Sequence, residues 1–104
     1  MIVTTSSSIP GKEIKQSFGV VRGNTVRARH VGKDIIAGLK TLVGGEIQEY
    51  TKLMAESREQ SIDRMIEEAK ALGANAIVDA RFATSYIMSN VAEILVYGTA
   101  VQIE

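Results

Sequence analysis

Apolar residues recur along this chain with two different periods, and the switches between them lay out its elements. Residues 14–28 alternate, with Ile14, Phe18, Val20, Val26 and Ala28 on one face and Lys15, Ser17, Thr25 and Arg27 on the other. This predicts a long strand or a hairpin. The alternatives turn on Arg22-Gly23-Asn24, where Gly-Asn makes either a two-residue turn or a bulge inside one continuous strand. A short β-rich start at residues 2–5 precedes it, set apart by three serines and the turn-forming Pro10-Gly11. In residues 31–43 the apolar positions Ile35, Ile36, Leu39, Leu42 and Val43 fall three and four apart, which predicts a helix ended by Gly44-Gly45. A second helix follows at once, with Ile47, Tyr50, Met54, Ile62, Met65, Ile66, Ala69 and Leu72 on one face and Gly73 as the left-handed residue past its end. Its length, about 26 residues or roughly 39 Å, reaches beyond a core of this size, so part of it is expected to pack on a neighbour.

The apolar stripe of that helix lapses at Ser57, Arg58 and Ser61. Small side chains there permit close approach of another backbone. Arg58 lies four residues from both Met54 and Ile62, so its stem is directed toward the packed face and its head needs an acid, a carbonyl or water. Residues 76–88 alternate again, with Val78, Ala80, Phe82, Tyr86 and Met88 opposite Ile77, Asp79, Arg81, Ser85 and Ile87, and Ser89-Asn90 supplies a hairpin turn. In the last strand Val91, Leu95, Tyr97, Val101 and Ile103 point one way and Ala92, Ile94, Val96 and Ala100 the other. Both faces want burial. Two helices cover one face of such a sheet, so the second face calls for another copy. The expectation is an α+β fold of order ββααββ, with a small antiparallel-rich sheet, forming a cyclic homo-oligomer that leaves no sheet edge open.

At 104 residues the chain is one domain with a thin core. Its 45% hydrophobic and 23% charged residues, with a single Pro, are those of a folded globular chain. There is no cysteine, which removes disulfides, thiolate nucleophiles and sulfur ligands for a soft metal. No basic leader or long apolar run appears, which predicts a cytoplasmic protein with no membrane partner. Twelve Lys and Arg balance twelve Asp and Glu, and with two Phe and three Tyr this argues against nucleic acid. The charges are unevenly placed. Lys15, Arg22, Arg27, Arg29 and Lys33 make one third basic, while Glu46, Glu49, Glu56, Glu59, Asp63, Glu67 and Glu68 make the middle acidic. Sheet arginines facing helix acids, within or between subunits, account for this, and an anion-binding strip is the alternative.

No catalytic constellation is visible, so no enzyme is predicted. The hydroxyls of residues 4–8 and Ser85 lack a base with its own orienting group, and Gly44-Gly45 lacks a Walker lysine and is followed by Glu46 and Glu49, which would repel a phosphate. His30 and Asp34, four apart, are weak metal candidates, because one His and one Asp make a site only if ring symmetry multiplies them. The polar residues placed to line a small-ligand site at subunit boundaries are Arg22, Arg27, Glu46, Tyr50, Arg58 and Ser85. No cofactor is required.

Three segments, GVVRGNTVRARH at 19–30, LVGGEIQEYTKLMAESREQSIDRM at 42–65, and ALGANAIVDARFATS at 71–85 with YGTAVQIE at 97–104, resemble the YbjQ-like family of small bacterial and archaeal proteins. The resemblance covers nearly the whole chain and is carried by the order of the VRG, GGE, LGANA and YGTAV signatures. It implies an α+β fold assembling into a ring, a pentamer, and brings the label "putative heavy-metal-binding". With no cysteine and one histidine, any metal here would need oxygen ligands plus at most one His per subunit. The family supplies no catalytic residues to carry over.

Overall fold

The computed structural model describes residues 1–28, 43–88 and 91–104. Its elements are β1 (Ile2–Val3), β2 (Ile14–Ala28), α1 (Val43–Ala71), β3 (Ala76–Met88) and β4 (Val91–Ile103). The strands form one mixed sheet in the order β1-β3-β4-β2, with β1 parallel to β3 and the other neighbours antiparallel. The fold is therefore α+β as expected, but with one helix among the described residues where the order ββααββ called for two. The helix expected at 31–43 lies, before Val43, outside the described residues, as does the Ser89-Asn90 turn. Gly44 and Gly45, expected to separate two helices, lie in the first turn of α1.

The far end of α1 follows its sequence signal. Gly73 takes a φ of 91°, its N–H donates to the Lys70 carbonyl at 3.0 Å, and the Ala74 N–H donates to the Ala69 carbonyl at 3.1 Å. This pair of bonds satisfies carbonyls that the helix end would leave open. The chain then turns into β3, pinned by Asn75, whose side-chain oxygen accepts from Ile103 N–H at 2.8 Å and whose amide donates to Ile103 O at 2.9 Å.

Residues 14–28 form one strand rather than a hairpin. Its pairing with β4 runs unbroken from Gly19↔Ala100 to Ala28↔Val91, straight through Arg22, Gly23 and Asn24. The extra residues lie earlier, between Ile14 and Gln16 and between Ser17 and Gly19, where Gly19 adopts a φ of 93°. β3 carries a similar irregularity between Val78 and Arg81, around Asp79 at a φ of 54°. Each inserted residue reverses which side of the sheet the following side chains face.

On β2 the two reversals cancel, so Ile14, Val20 and Val26 share one side as expected; that side is the open one, with Val20 and Val26 66% and 52% exposed, while Val21, Gly23 and Thr25 are buried under α1. Phe18 packs with the helix-side cluster of Val21, Met65, Ala69, Ala74, Ile77, Val96 and Ala100, opposite Val20 rather than beside it. Val78 and Phe82, expected on one face, part company at the Asp79 bulge: Val78 joins Ala76, Val101 and Ile103 on the sheet's other side, closed by Ile9, while Phe82 pairs with the buried Val96 on the helix side. Only β4, which takes no extra residue in this stretch, keeps the expected partition. Its Ala92, Ile94, Val96 and Ala100 are all buried on the helix side.

The crossing of α1 over β2 explains why small and polar residues occupy that side. A Cβ on Gly23 would overlap the Ser61 carbonyl oxygen and come within 2.6 Å of the Met65 nitrogen, so helix backbone rests directly on strand backbone. Ser57 and Ser61, both buried, are the small residues that allow it. Their polar atoms are paired across the crossing. The Thr25 hydroxyl reaches Ser57 O at 3.2 Å and Ser61 Oγ at 3.1 Å, and Ser61 Oγ donates to Ile94 O at 3.1 Å. Two hydroxyl protons thus serve three contacts, so one proton is shared.

Candidate functional site

One side of the sheet lies beneath α1; among the described residues the other is covered at one end, by the N-terminal segment. Ile9 closes the Ala76, Val78, Val101 and Ile103 end, and the segment is tied down by Asp79 N–H to Ser6 O at 2.9 Å, Ala80 N–H to Thr4 O at 3.0 Å and the Ser7 hydroxyl to Asp79 Oδ1 at 3.0 Å. Asp79 thereby holds its left-handed backbone, which a short polar side chain tolerates better than most. Beyond this cover the sheet presents three cross-strand rows to the open side, read directly from the register. They are Arg22–Tyr97–Arg81, Asn24–Leu95–Ala83 and Val26–Glu93–Ser85.

The first row sets Tyr97 between Arg22 and Arg81 in the strand register. Arg22 and Tyr97 are exposed, and Arg81 is oriented by donating through Nη1 to Thr5 O at 2.8 Å and Ala80 O at 2.9 Å. A guanidinium has five N–H donors, so Arg81 keeps donors to spare. Across the next two rows, Asn24 Nδ2 donates to Glu93 Oε2 at 3.2 Å. Such a surface can take an anion at the oriented Arg81 or stack a planar group on Tyr97.

Of the residues singled out in the sequence, Arg22 and Ser85 lie on this open side but are not brought together. Two strand spacings and four residues along β4 separate them, about 16 Å. Arg27 pairs with Ala92, a helix-side register position, and Glu46 and Tyr50 lie in the N-terminal part of α1. His30 and Asp34 lie outside the described residues. Arg58 is exposed, not directed into the packed seam. The seam is Ser57, Ser61, Met65 and Ala69, four residues apart, and Arg58 is one residue, about 100° of helix, off it. Tyr97 and Arg81 were missed as site residues. The signal for them was the alternation of β4 read together with the β3 register, which a single strand's pattern does not carry.

Among the described residues no ion pair joins the basic strip to the acidic helix; the ion pair formed is Lys15 Nζ with Glu13 Oε2 at 2.9 Å. Arg64, a basic helix residue at the crossing with β2, donates to the Asn24 carbonyl at 2.6 Å. Glu56, Glu59 and Asp63 line a shallow depression on the outer face of α1. No group of three or more His, Cys, Asp or Glu among the described residues is gathered closely enough to hold a metal ion, and no described helix is long and apolar enough to cross a membrane.

A family model described as "Putative heavy-metal-binding" matches residues 1–104. The chain belongs to the YbjQ_1 family. UPF0145 proteins of Archaeoglobus fulgidus and Thermosipho melanesiensis are 55% and 57% identical to it over 103 residues, covering 99% of this chain and 95% of theirs. A UPF0145 protein of Thermus thermophilus is 53% identical over 104 residues, covering 100% of this chain and 91% of its own. These names state no reaction. A crystal structure of a protein of unknown function from Pediococcus pentosaceus, assigned to the DUF74 family, superposes with a TM-score of 0.69 at 18% identity, covering 100% of this chain and 98% of that one. It shares the fold. The donor set of this YbjQ_1 chain does not fit the soft heavy metal that the family description suggests, because it has no thiolate and a single imidazole.

Proposed function

We propose that the chain is a non-enzymatic binding or scaffold protein that works as a cyclic homo-oligomer, with the open side of its sheet as the surface offered to a small ligand. The observation that carries this is its shape. The radius of gyration is 17.3 Å and the molecule measures 55 × 22 × 17 Å, whereas a compact chain of this length has a radius near 13 Å. A single copy is too elongated to shield its own apolar residues: Val20, Val26, Phe82, Tyr86 and Tyr97 are all exposed. Association with further copies is the economical remedy. Five copies is the ring size that the family resemblance implies. The Arg22–Tyr97–Arg81 row, repeated by symmetry, supports an anionic or planar ligand.

The family description favours a second reading, metal binding. With no thiolates, it needs oxygen donors and His30 or Asp34 contributed by several copies around an axis. One experiment separates the readings: native mass spectrometry of protein purified without chelator. A ring at an integral multiple of the 11.2 kDa chain with no retained mass is expected. A ring that carries a stoichiometric metal mass and melts higher on adding that metal back transfers the case to the second reading, and a clean monomer overturns both.

A further inference from the structure

Among the described residues the sheet has two open edges, and they are complementary. Among the described residues, β1 and the N-terminal segment pair with β3 only as far as Ala80, and Arg81 reaches Thr5 O through its side chain; residues 82–88 then run with an unpaired outer edge. On the opposite flank, no described strand pairs with the outer edge of β2. Among the described residues both edges offer rows of N–H and C=O groups that no strand pairs, the Asn24 carbonyl of β2 accepting from Arg64 instead. Because β2 and β3 are each antiparallel to β4, they run parallel to one another. A rotation about an axis along the strands therefore sets β3 of one copy beside β2 of the next in parallel register, and repeating the same step closes a ring.

The side chains agree with this docking. Phe82, Thr84 and Tyr86 pair with Val96, Ile94 and Ala92, so they lie on the helix side of the sheet, yet Phe82 is 49% and Tyr86 72% exposed because α1 packs over β2 and β4 and scarcely touches β3. They are helix-side residues that α1 does not cover. The same β4 residues Val96 and Ile94 pair with Gly23 and Thr25 of β2, so the uncovered part of β3 stands level with the place where α1 crosses β2. Met65 and Ser61 lie over Gly23 and Ser57 over Thr25, so α1 runs antiparallel to β2 and brings the half-buried Leu53 and Met54 toward the level of Tyr86. A second copy whose β2 pairs with residues 82–88 would bring its own α1 over Phe82 and Tyr86. From this geometry we infer that the subunit contact is parallel edge pairing of β3 residues 82–88 with β2 of the next copy, sealed by Phe82 and Tyr86 against that copy's helix. The inference rests on the ring reading and names the surfaces that make the ring.

The absence of native cysteine gives a clean test by engineered disulfides. Ala83 and Asn24 both pair with Leu95 on opposite sides of β4, about 10 Å apart, which exceeds the reach of a disulfide within one chain. Chains carrying Ala83→Cys together with Val20→Cys, Arg22→Cys, Asn24→Cys or Val26→Cys in turn sample the registers that strand tilt allows. On mild oxidation at least one pair is expected to give a ladder of covalent multimers whose top step counts the subunits. Tyr86→Lys, at a position exposed in the single chain, is expected to yield folded material of 11.2 kDa. If the wild-type chain is a ring by native mass spectrometry but none of the four pairs ladders and Tyr86→Lys still forms the ring, the edge contact is wrong and the ring stands. If the wild-type chain is a monomer, the ring reading falls first and the contact with it.

Discussion

Replacing Gly23 with alanine adds one methyl group at the place where strand and helix backbones touch. The new Cβ would overlap Ser61 O and lie 2.6 Å from Met65 N and 3.0 Å from Arg64 Cβ. Two of these are main-chain atoms, so no rotamer change relieves the overlap and α1 must lift from β2. Overpacking of this kind costs about 1–3 kcal/mol, and the upper end applies where the neighbours are backbone. Lifting the helix also stretches the Thr25–Ser57 and Thr25–Ser61 contacts of 3.2 and 3.1 Å, worth about 1 kcal/mol each. Restricting the unfolded chain returns about 0.4–1 kcal/mol. The net expectation is a loss of about 4 kcal/mol, a fall in Tm of roughly 16–32 °C for a domain of this size. Urea titration followed by far-ultraviolet circular dichroism, at fixed protomer concentration, measures it. Gly19→Ala is the control, since nothing lies within 4 Å of its Cβ and only its φ of 93° opposes the change. That strain costs about 1–2 kcal/mol. A Gly23→Ala protein no less stable than Gly19→Ala would refute backbone contact at the crossing.

Further expectations follow from the same contacts. Thr25→Val keeps the shape but removes the hydroxyl shared between Ser57 O and Ser61 Oγ, and should cost about 1–2 kcal/mol in the same titration. Asp79→Val places a β-branched residue at a φ of 54° and breaks the bond from Ser7, so it should lose roughly 2–3 kcal/mol, while Asp79→Gly stays within about 1 kcal/mol of the parent. Arg58→Ala, at an exposed position off the helix seam, should change stability by no more than about 0.5 kcal/mol; a larger loss would show that Arg58 is held by another copy. Dialysis against a chelator should leave the assembled mass unchanged, and dissociation on chelation would move the account to the metal reading.

What was legible in the sequence was what depends on regular periodicity. The long helix and its Gly73 stop, the two apolar faces of β4 and the close approach at Ser57 and Ser61 all follow from spacing alone. On β2 the two extra residues cancel, so Ile14, Val20 and Val26 share one side as the alternation predicts and only Phe18 departs from it; what was not legible is that α1 covers the opposite side, selecting Gly23 and Thr25 for size over Val20 and Val26 for hydrophobicity. Nor was the partition of β3 legible, where Asp79 turns Phe82 to the side opposite Val78. Only the pairing register reveals such a slip. The open-side row Arg22–Tyr97–Arg81 is a product of three strands, so no single segment announces it.

The central claim is that this elongated chain completes its core by self-association. Sedimentation equilibrium over a dilution series tests it most directly. The account predicts one closed species at an integral multiple of 11.2 kDa, five in the ring that the family resemblance implies, persisting on dilution; a stable, folded 11.2 kDa monomer at all concentrations would contradict it.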